Sequence, residues 1–245
     1  MNLTIDTGNT RTKYAVFDAD TIVATGIFEN SGQYASLFGQ YPITAVISSS
    51  VGQDIDWQRI TPPTVRFCTL NHKQPLPIVI NYSTPETLGP DRIAACAGAA
   101  HLFPTQPCLV IDAGTCITLD TVSDNIFNGI AIMPGLTMKF EALHTFTKKL
   151  PLLHLSDIST QAGTDIGSTA KSIVTGVFDA TAMELSGFCH SLSAKHNGLK
   201  VVITGGDGQL FGQKLKNDNI DPIFVKDLTL VGLNKILEYN EKQSI

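Results

Sequence analysis

The chain has 245 residues, 43% hydrophobic and 16% charged, with a net charge of -5. That is too apolar for a disordered chain, of a length for one large domain or two small ones, and too acidic for a non-specific nucleic-acid binder. No apolar run reaches the roughly 20 residues that span a bilayer, and the opening MNLTIDTGNT lacks the basic-then-apolar pattern of a signal or transit peptide. A soluble protein of the cytosol is expected, with no membrane and no nucleic acid among its partners.

In chain order, residues 3–5 alternate into Asp6, and TGNT makes a turn. Residues 12–17 and 21–28 read as two further strands, giving a three-strand meander. A short helix over 31–40, a buried strand at 45–47, a helix over 54–60 and a strand at 64–69 follow. Pro75, Pro77, Pro85 and Pro90 mark 70–90 as irregular. The Ala-rich stretch 91–103 reads as a helix whose small residues permit close packing. PTQP at 104–107 is the expected joint between domains 1–107 and 108–245.

The second half restarts the pattern, with strands at 108–111, 116–122 and 126–133 and a helix opened by Pro134-Gly135, Pro at its first position. After a loop, 168–195 reads as one long helix, 200–203 as a strand into TGGD, 208–215 as a helix, 223–225 as a strand and 227–239 as a helix capped by Asp227. The cysteines, Cys68, Cys96, Cys108, Cys116 and Cys189, form no C-x-x-C, which favours buried thiols over disulfides or zinc. His190 and His196 lack an H-E-x-x-H frame.

LTIDTGNT at 3–10 matches LVIDAGT at 109–115, each opening the same strand pattern, so the chain reads as an internal repeat. A Gly turn at a strand end exposes backbone N–H groups that suit a phosphate, and the Asp beside it can hold a cation. The same Asp and Gly also serve plain hairpin geometry. Thr10 and Thr115 add hydroxyls and Lys13 a mobile charge. In TGGD, Gly205 and Gly206 would let backbone approach an adenosine, or form a simple strand-to-helix turn. Asp91, at a helix start beside Arg92, is either a helix-dipole partner or a general base for an alcohol attacking a phosphate, with Arg92 facing an anionic group.

The ordered set D-x-G-N-T-x-x-K (6–13), G-x-D-R (89–92), D-A-G-T-x-x-T-x-D (112–120), P-G (134–135), G-x-T with Gly176 seven on, and T-G-G-D (204–207) resembles type III pantothenate kinase over essentially the whole chain. The resemblance implies an α/β fold of two ribonuclease-H-like domains, of the acetate and sugar kinase, Hsp70 and actin superfamily, around a central cleft. It implies ATP with Mg²⁺ as donor, pantothenate as acceptor, a monovalent cation (K⁺ or NH₄⁺) and a homodimer. By position, Asp6, Thr7, Gly8, Asn9, Thr10, Arg11, Thr12 and Lys13 would contact ATP, with Asp6 meeting Mg²⁺ through the nucleotide. Thr115, Gly205 and Gly206 would also contact the nucleotide, and Asp112 the monovalent cation. Tyr82, Gly89, Pro90, Asp91, Arg92 and Thr169 would line the pantothenate site, with Asp91 accepting the proton.

The expected activity is therefore ATP-dependent phosphorylation of pantothenate to 4'-phosphopantothenate. A kinase of another small hydroxy acid or sugar, and a non-catalytic nucleotide-binding regulator on the same fold, are the alternatives. The helix over 168–195, carrying Ile173, Val177, Met183 and Phe188, is expected to form a two-fold dimer face.

Overall fold

The computed structural model describes residues 1–52, 55–161 and 167–243. Alternating apolar residues build the first sheet. Strands β1 (Asn2–Thr7), β2 (Thr12–Asp18) and β3 (Thr21–Phe28) form an antiparallel meander. Strand β4 (Ala45–Ser50) pairs in parallel with β1 along its whole length, and β5 (Arg66–Thr69) pairs in parallel with β4. The order is β3-β2-β1-β4-β5. Helix α1 (Ser31–Gln40) is capped by Asn30, whose side chain accepts from the Gln33 N–H. Helix α2 (Trp57–Ile60) is capped in the same way by Asp56. Leu3, Ile5, Val16, Tyr34, Leu37 and Trp57 pack together as a core.

Strand β6 (Val79–Asn81), a 3₁₀ turn at Pro85–Thr87 and helix α3 (Pro90–Leu102) come next. Pro90 starts α3, where a missing N–H costs nothing. The second half contains β7 (Cys108–Ala113), β8 (Cys116–Ser123) and β9 (Ile126–Pro134). Helices α4 (Leu136–Thr145), α5 (Leu155–Gln161) and α6 (Thr169–Val174) follow, then a π turn over Thr175–Asp179 leading into α7 (Ala180–Ser193). Strand β10 (Lys200–Thr204), α8 (Gly208–Asn217), β11 (Ile223–Phe224) and α9 (Leu228–Gln243) complete the chain. The second sheet is ordered β11-β10-β7-β8-β9-β6. Apart from the added β6, it repeats the first: a meander, then two strands beside the meander's first strand.

By contact density the chain divides into two units. One comprises Met1–Cys108, Asp120–Gly129 and Asp227–Ile245; the other comprises Leu109–Leu119 and Ile130–Lys226. In the first unit α9 packs on α3 at very close range. A Cβ on Gly232 would fall 1.7 Å from the Ala94 carbonyl oxygen, and one on Gly98 2.5 Å from that of Leu228. The small residues of α3 are what allow this approach. In the second unit Leu109, Ile111, Phe140, Leu185, Ile203 and Phe211 belong to one core.

Several expectations need correction. Residues 70–90 are not wholly irregular: Val79–Asn81 pairs in parallel with Ile126–Asn128. This is a short outer strand, the place where nearby prolines are tolerated. Helix α5 occupies the expected loop after Pro151; His154 N–H donates to the Asp157 carboxylate at its start. Pro134 ends β9 rather than opening α4, whose N-cap is Gly135. The long helix is interrupted by the π turn. Ile173 and Val177 are buried in the second unit's own core, and Phe188 packs against it, so of the four side chains expected on a dimer face only Met183 is exposed. The helix expected at 54–60 spans Trp57–Ile60; Asp54 lies outside the described residues. Cys96, Cys108 and Cys189 are buried, while Cys68 and Cys116 are half-buried.

Candidate active site

In the first unit the register of β1 on β2 sets Asp6 opposite Lys13 and Thr7 opposite Thr12. Directly opposed side chains share a sheet face, so carboxylate and ammonium stand on one side. The turn between them is closed by Gly8 N–H donating to the Arg11 carbonyl at 3.0 Å. Asn9, Thr10 and Arg11 are exposed at its tip. A cavity of about 270 Å³ opens beside it, lined by all six residues from Thr7 to Thr12 and by Phe28 and Trp57 among others. Its wall thus offers amide, hydroxyl and guanidinium donors, the groups that bind phosphate.

Asp6 accepts a hydrogen bond from the Ser49 hydroxyl at 2.7 Å. Burial pushes its carboxyl up from the ordinary value; the Ser49 bond and Lys13 oppose this, and the charge of Asp91 adds to it. Asp6 and Asp91 are therefore within electrostatic reach. Asp91 occupies the second position of α3, where its carboxylate accepts from the Arg92 N–H at 2.9 Å. Burial raises the Asp91 carboxyl too, with the Arg92 backbone bond and charge pulling it back. A carboxylate whose proton affinity is raised by burial is better suited to take a proton than a solvated one.

Arg92 is buried. Its guanidinium grips Asp120 of β8 with two hydrogen bonds, Nε to Oδ2 at 3.0 Å and Nη2 to Oδ1. Burial disfavours the Arg92 cation, but the bonds and charge of Asp120 win and hold it raised. The Tyr82 and Phe127 rings lie 5.6 and 5.8 Å from the guanidinium carbon. Gly129 makes room for the assembly: a Cβ there would sit 2.6 Å from the Tyr82 ring and 2.9 Å from Arg92 Nη2. The expected pantothenate-site residues Tyr82 and Gly89 to Arg92 thus form one group, with Arg92 anchored to Asp120 within the protein.

In the second unit Gly114 N–H donates to the Cys116 carbonyl and Asp207 N–H to that of Ala113, at 3.0 and 2.9 Å. Asp112 is half-buried beside this turn and Thr115 exposed at its tip. Gly205 has φ +89, and a Cβ there would fall 2.2 Å from the Ala113 carbonyl oxygen and 2.5 Å from Asp112 Oδ1. Gly135 is as confined: a Cβ there would fall 2.2 Å from the Gly114 carbonyl oxygen. Two glycines therefore pack the second turn from behind, whereas Gly206 faces open space. Thr169 is the exposed first residue of α6, next to Ser168, whose side chain caps that helix. Gly205→Ala meets both a left-handed backbone and a backbone clash. It should cost at least about 1–3 kcal/mol, read as a fall in the midpoint of urea unfolding.

Sequence reasoning missed Ser49, Trp57, Asp120, Phe127 and Gly129. Asp120 did carry a signal, as the last residue of D-A-G-T-x-x-T-x-D and the one charge in strand β8. Ser49 and Gly129 carried none, because serine and glycine inside strands are too common to single out.

Comparison with known proteins places the chain in a family. A family model described as type III pantothenate kinase matches residues 2–191. The type III pantothenate kinase of Christiangramia forsetii is 37% identical over 250 residues, covering 99% of this chain and all of that protein. That of Cytophaga hutchinsonii is 38% identical over 243 residues, covering 98% and 100%. Among solved structures, a glucokinase from an Antarctic psychrotroph aligns with a TM-score of 0.53 at 13% identity, covering 97% of this chain and 98% of that one. The activator of 2-hydroxyisocaproyl-CoA dehydratase from Clostridium difficile gives 0.56 at 14%, covering 99% and 95%. At those identities the structural likeness speaks for the fold alone, an α/β fold shared with a sugar kinase and a dehydratase activator. The repeated turn motif, the G-x-D-R helix start and the full-length similarity lead to one assignment: the chain belongs to the type III pantothenate kinase family.

Proposed function

We propose that the chain transfers the γ-phosphoryl group of ATP to the primary alcohol of pantothenate, giving 4'-phosphopantothenate in the first step of coenzyme A synthesis. The observation that supports the reading beyond family membership is the first Gly turn with its adjoining cavity, whose amide, hydroxyl and guanidinium donors suit a phosphate chain. Asp91, buried at the start of α3, adds a carboxylate whose charge acts on Asp6 of that turn. Phosphoryl transfer needs an acceptor for the alcohol proton close to a charge-neutralised phosphate chain.

In this reading the turn from Thr7 to Thr12, with Lys13, holds the nucleotide phosphates, and its donor set and adjacent cavity fit that ligand. No group of three or more His, Cys, Asp or Glu forms a ready-made metal cage among the described residues. A Mg²⁺ ion would therefore meet the protein at Asp6 and take its other ligands from phosphate and water, as this ion prefers. When bound it neutralises phosphate charge. Asp91 takes the alcohol proton. Tyr82, Gly89 and Pro90 orient the acceptor, and Arg92, fixed by Asp120, holds the Tyr82 ring in place. Within the second unit, family resemblance assigns Thr115, Gly205 and Gly206 to the nucleotide, Thr169 to pantothenate and Asp112 to the monovalent cation.

A homodimer is part of the same reading, supported by large apolar side chains left in solvent on the second unit: Phe146 is 86% exposed, Met183 70% and Ile132 62%. No helix among the described residues is long and apolar enough to cross a membrane, and a cytoplasmic site of action suits a coenzyme A precursor.

The test is ADP release with a panel of small hydroxy acids and sugars, with and without potassium. Pantothenate should be the preferred acceptor; preference for another would replace it. Asp112→Asn should weaken nucleotide binding in potassium several-fold and narrow the difference between potassium and sodium buffers. An unchanged potassium response would remove Asp112 from the cation site.

A further inference from the structure

The first Gly turn is gripped from behind by one short segment that no motif marks. Four contacts join β4 and the residues after it to the consecutive residues Asp6, Thr7 and Gly8. Ser49, fully buried on β4 and in register with Asp6, donates its hydroxyl to Asp6 Oδ1 at 2.7 Å. Val51 N–H donates to the Thr7 carbonyl at 3.0 Å. Trp57, the chain's single tryptophan, donates its indole N–H to the Thr7 hydroxyl at 3.2 Å from a buried position. Gly52 lies so close that a Cβ there would sit 2.3 Å from the Gly8 carbonyl oxygen.

A turn that binds phosphate with its backbone works only if its N–H groups and adjacent carboxylate are aimed before the ligand arrives. An unaimed turn would lose part of its binding energy to ordering. Left alone, a carboxylate on a strand end has rotamer freedom. Ser49 removes it by holding one carboxylate oxygen, and the other accepts no hydrogen bond among the described residues. Trp57 does the same for the Thr7 side chain. From these contacts we infer that Ser49 and Trp57 are positioning residues that preset the first turn for a magnesium–nucleotide, Ser49 acting through Asp6 and Trp57, which also lines the adjacent cavity, through the Thr7 hydroxyl. This rests on the turn being the nucleotide site.

The experiment is calorimetric titration of the full chain with MgADP, alongside melting of the ligand-free protein. Ser49→Ala removes a hydrogen bond to a charged group and should weaken MgADP by roughly tenfold or more. Ser48→Ala is the control. It removes the same hydroxyl from the next residue, which is also buried but points to the opposite face of the strand, and it should leave MgADP affinity within about twofold of the parent. Trp57→Phe keeps an aromatic ring while deleting the indole donor, and should weaken MgADP about three- to tenfold. Pantothenate affinity should be the same in all four proteins. Loss of general stability would weaken both ligands and would affect Ser48→Ala as well, so selective loss of MgADP separates positioning from folding. Parent-like MgADP affinity in Ser49→Ala, with the parent binding normally, would overturn the inference alone. A parent that binds no MgADP would overturn the reading of the turn, and the inference with it.

Discussion

Replacing Asp91 with asparagine should lower turnover by roughly 10²-fold or more while leaving MgADP affinity near that of the parent. A primary alcohol holds its proton too tightly to lose it in advance, so the proton must leave as the bond to phosphorus forms. Helix stabilisation predicts a different outcome: Gly89, not Asp91, is the N-cap of α3, and asparagine keeps an oxygen that can accept from the Arg92 N–H. Burial raises the Asp91 carboxyl in the folded state. An acid whose folded value lies above its unfolded value opposes folding once the pH passes the unfolded value, near about 4. Asparagine removes that opposition, so the variant should melt at pH 7 no lower than the parent. The same shift places the acidic limb of kcat/KM above the range of a solvated aspartate. Parent-like turnover in a folded Asp91→Asn protein would leave positioning alone to explain catalysis.

Asp120→Ala should lower stability by about 3–5 kcal/mol. It leaves the buried Arg92 guanidinium without its bidentate partner, in surroundings that burial already makes unfavourable for a cation. Replacing both partners with apolar residues, as in Arg92→Met with Asp120→Leu, should recover most of that loss, because no buried charge is then stranded. The Tyr82 ring would still lose its cationic neighbour. Urea unfolding of the two single variants and the double variant measures the coupling. Additive losses would show that the pair does not act as a unit.

Much of this was legible in the sequence. The alternation in LTID and the apolar run of CLVID, each ending in an Asp and a Gly turn, located the first strand of both meanders and both turns. The Ala and Gly run of α3 foretold close packing, which proved to be against α9 through Gly98 and Gly232. That α9 would group with the first unit had no local signal, since an amphipathic helix does not state which face of which sheet it covers. Strand β6 was hidden because three residues among prolines show no period. The strand expected at 45–47 runs further, because pairing with β1 carries β4 through Ser50. Arg92 was expected to face an anionic ligand; in the folded chain it faces Asp120, a partner well separated in sequence and brought near by the return of β8.

The measurement that bears most directly on the account is a single-turnover reaction with γ-labelled ATP, excess enzyme, Mg²⁺ and potassium, followed with and without pantothenate. The label should appear in 4'-phosphopantothenate, with ADP formed only when pantothenate is present, and Asp91→Asn should slow its appearance by roughly 10²-fold or more. Label released as inorganic phosphate at the same rate with or without pantothenate would contradict the assignment of a pantothenate kinase.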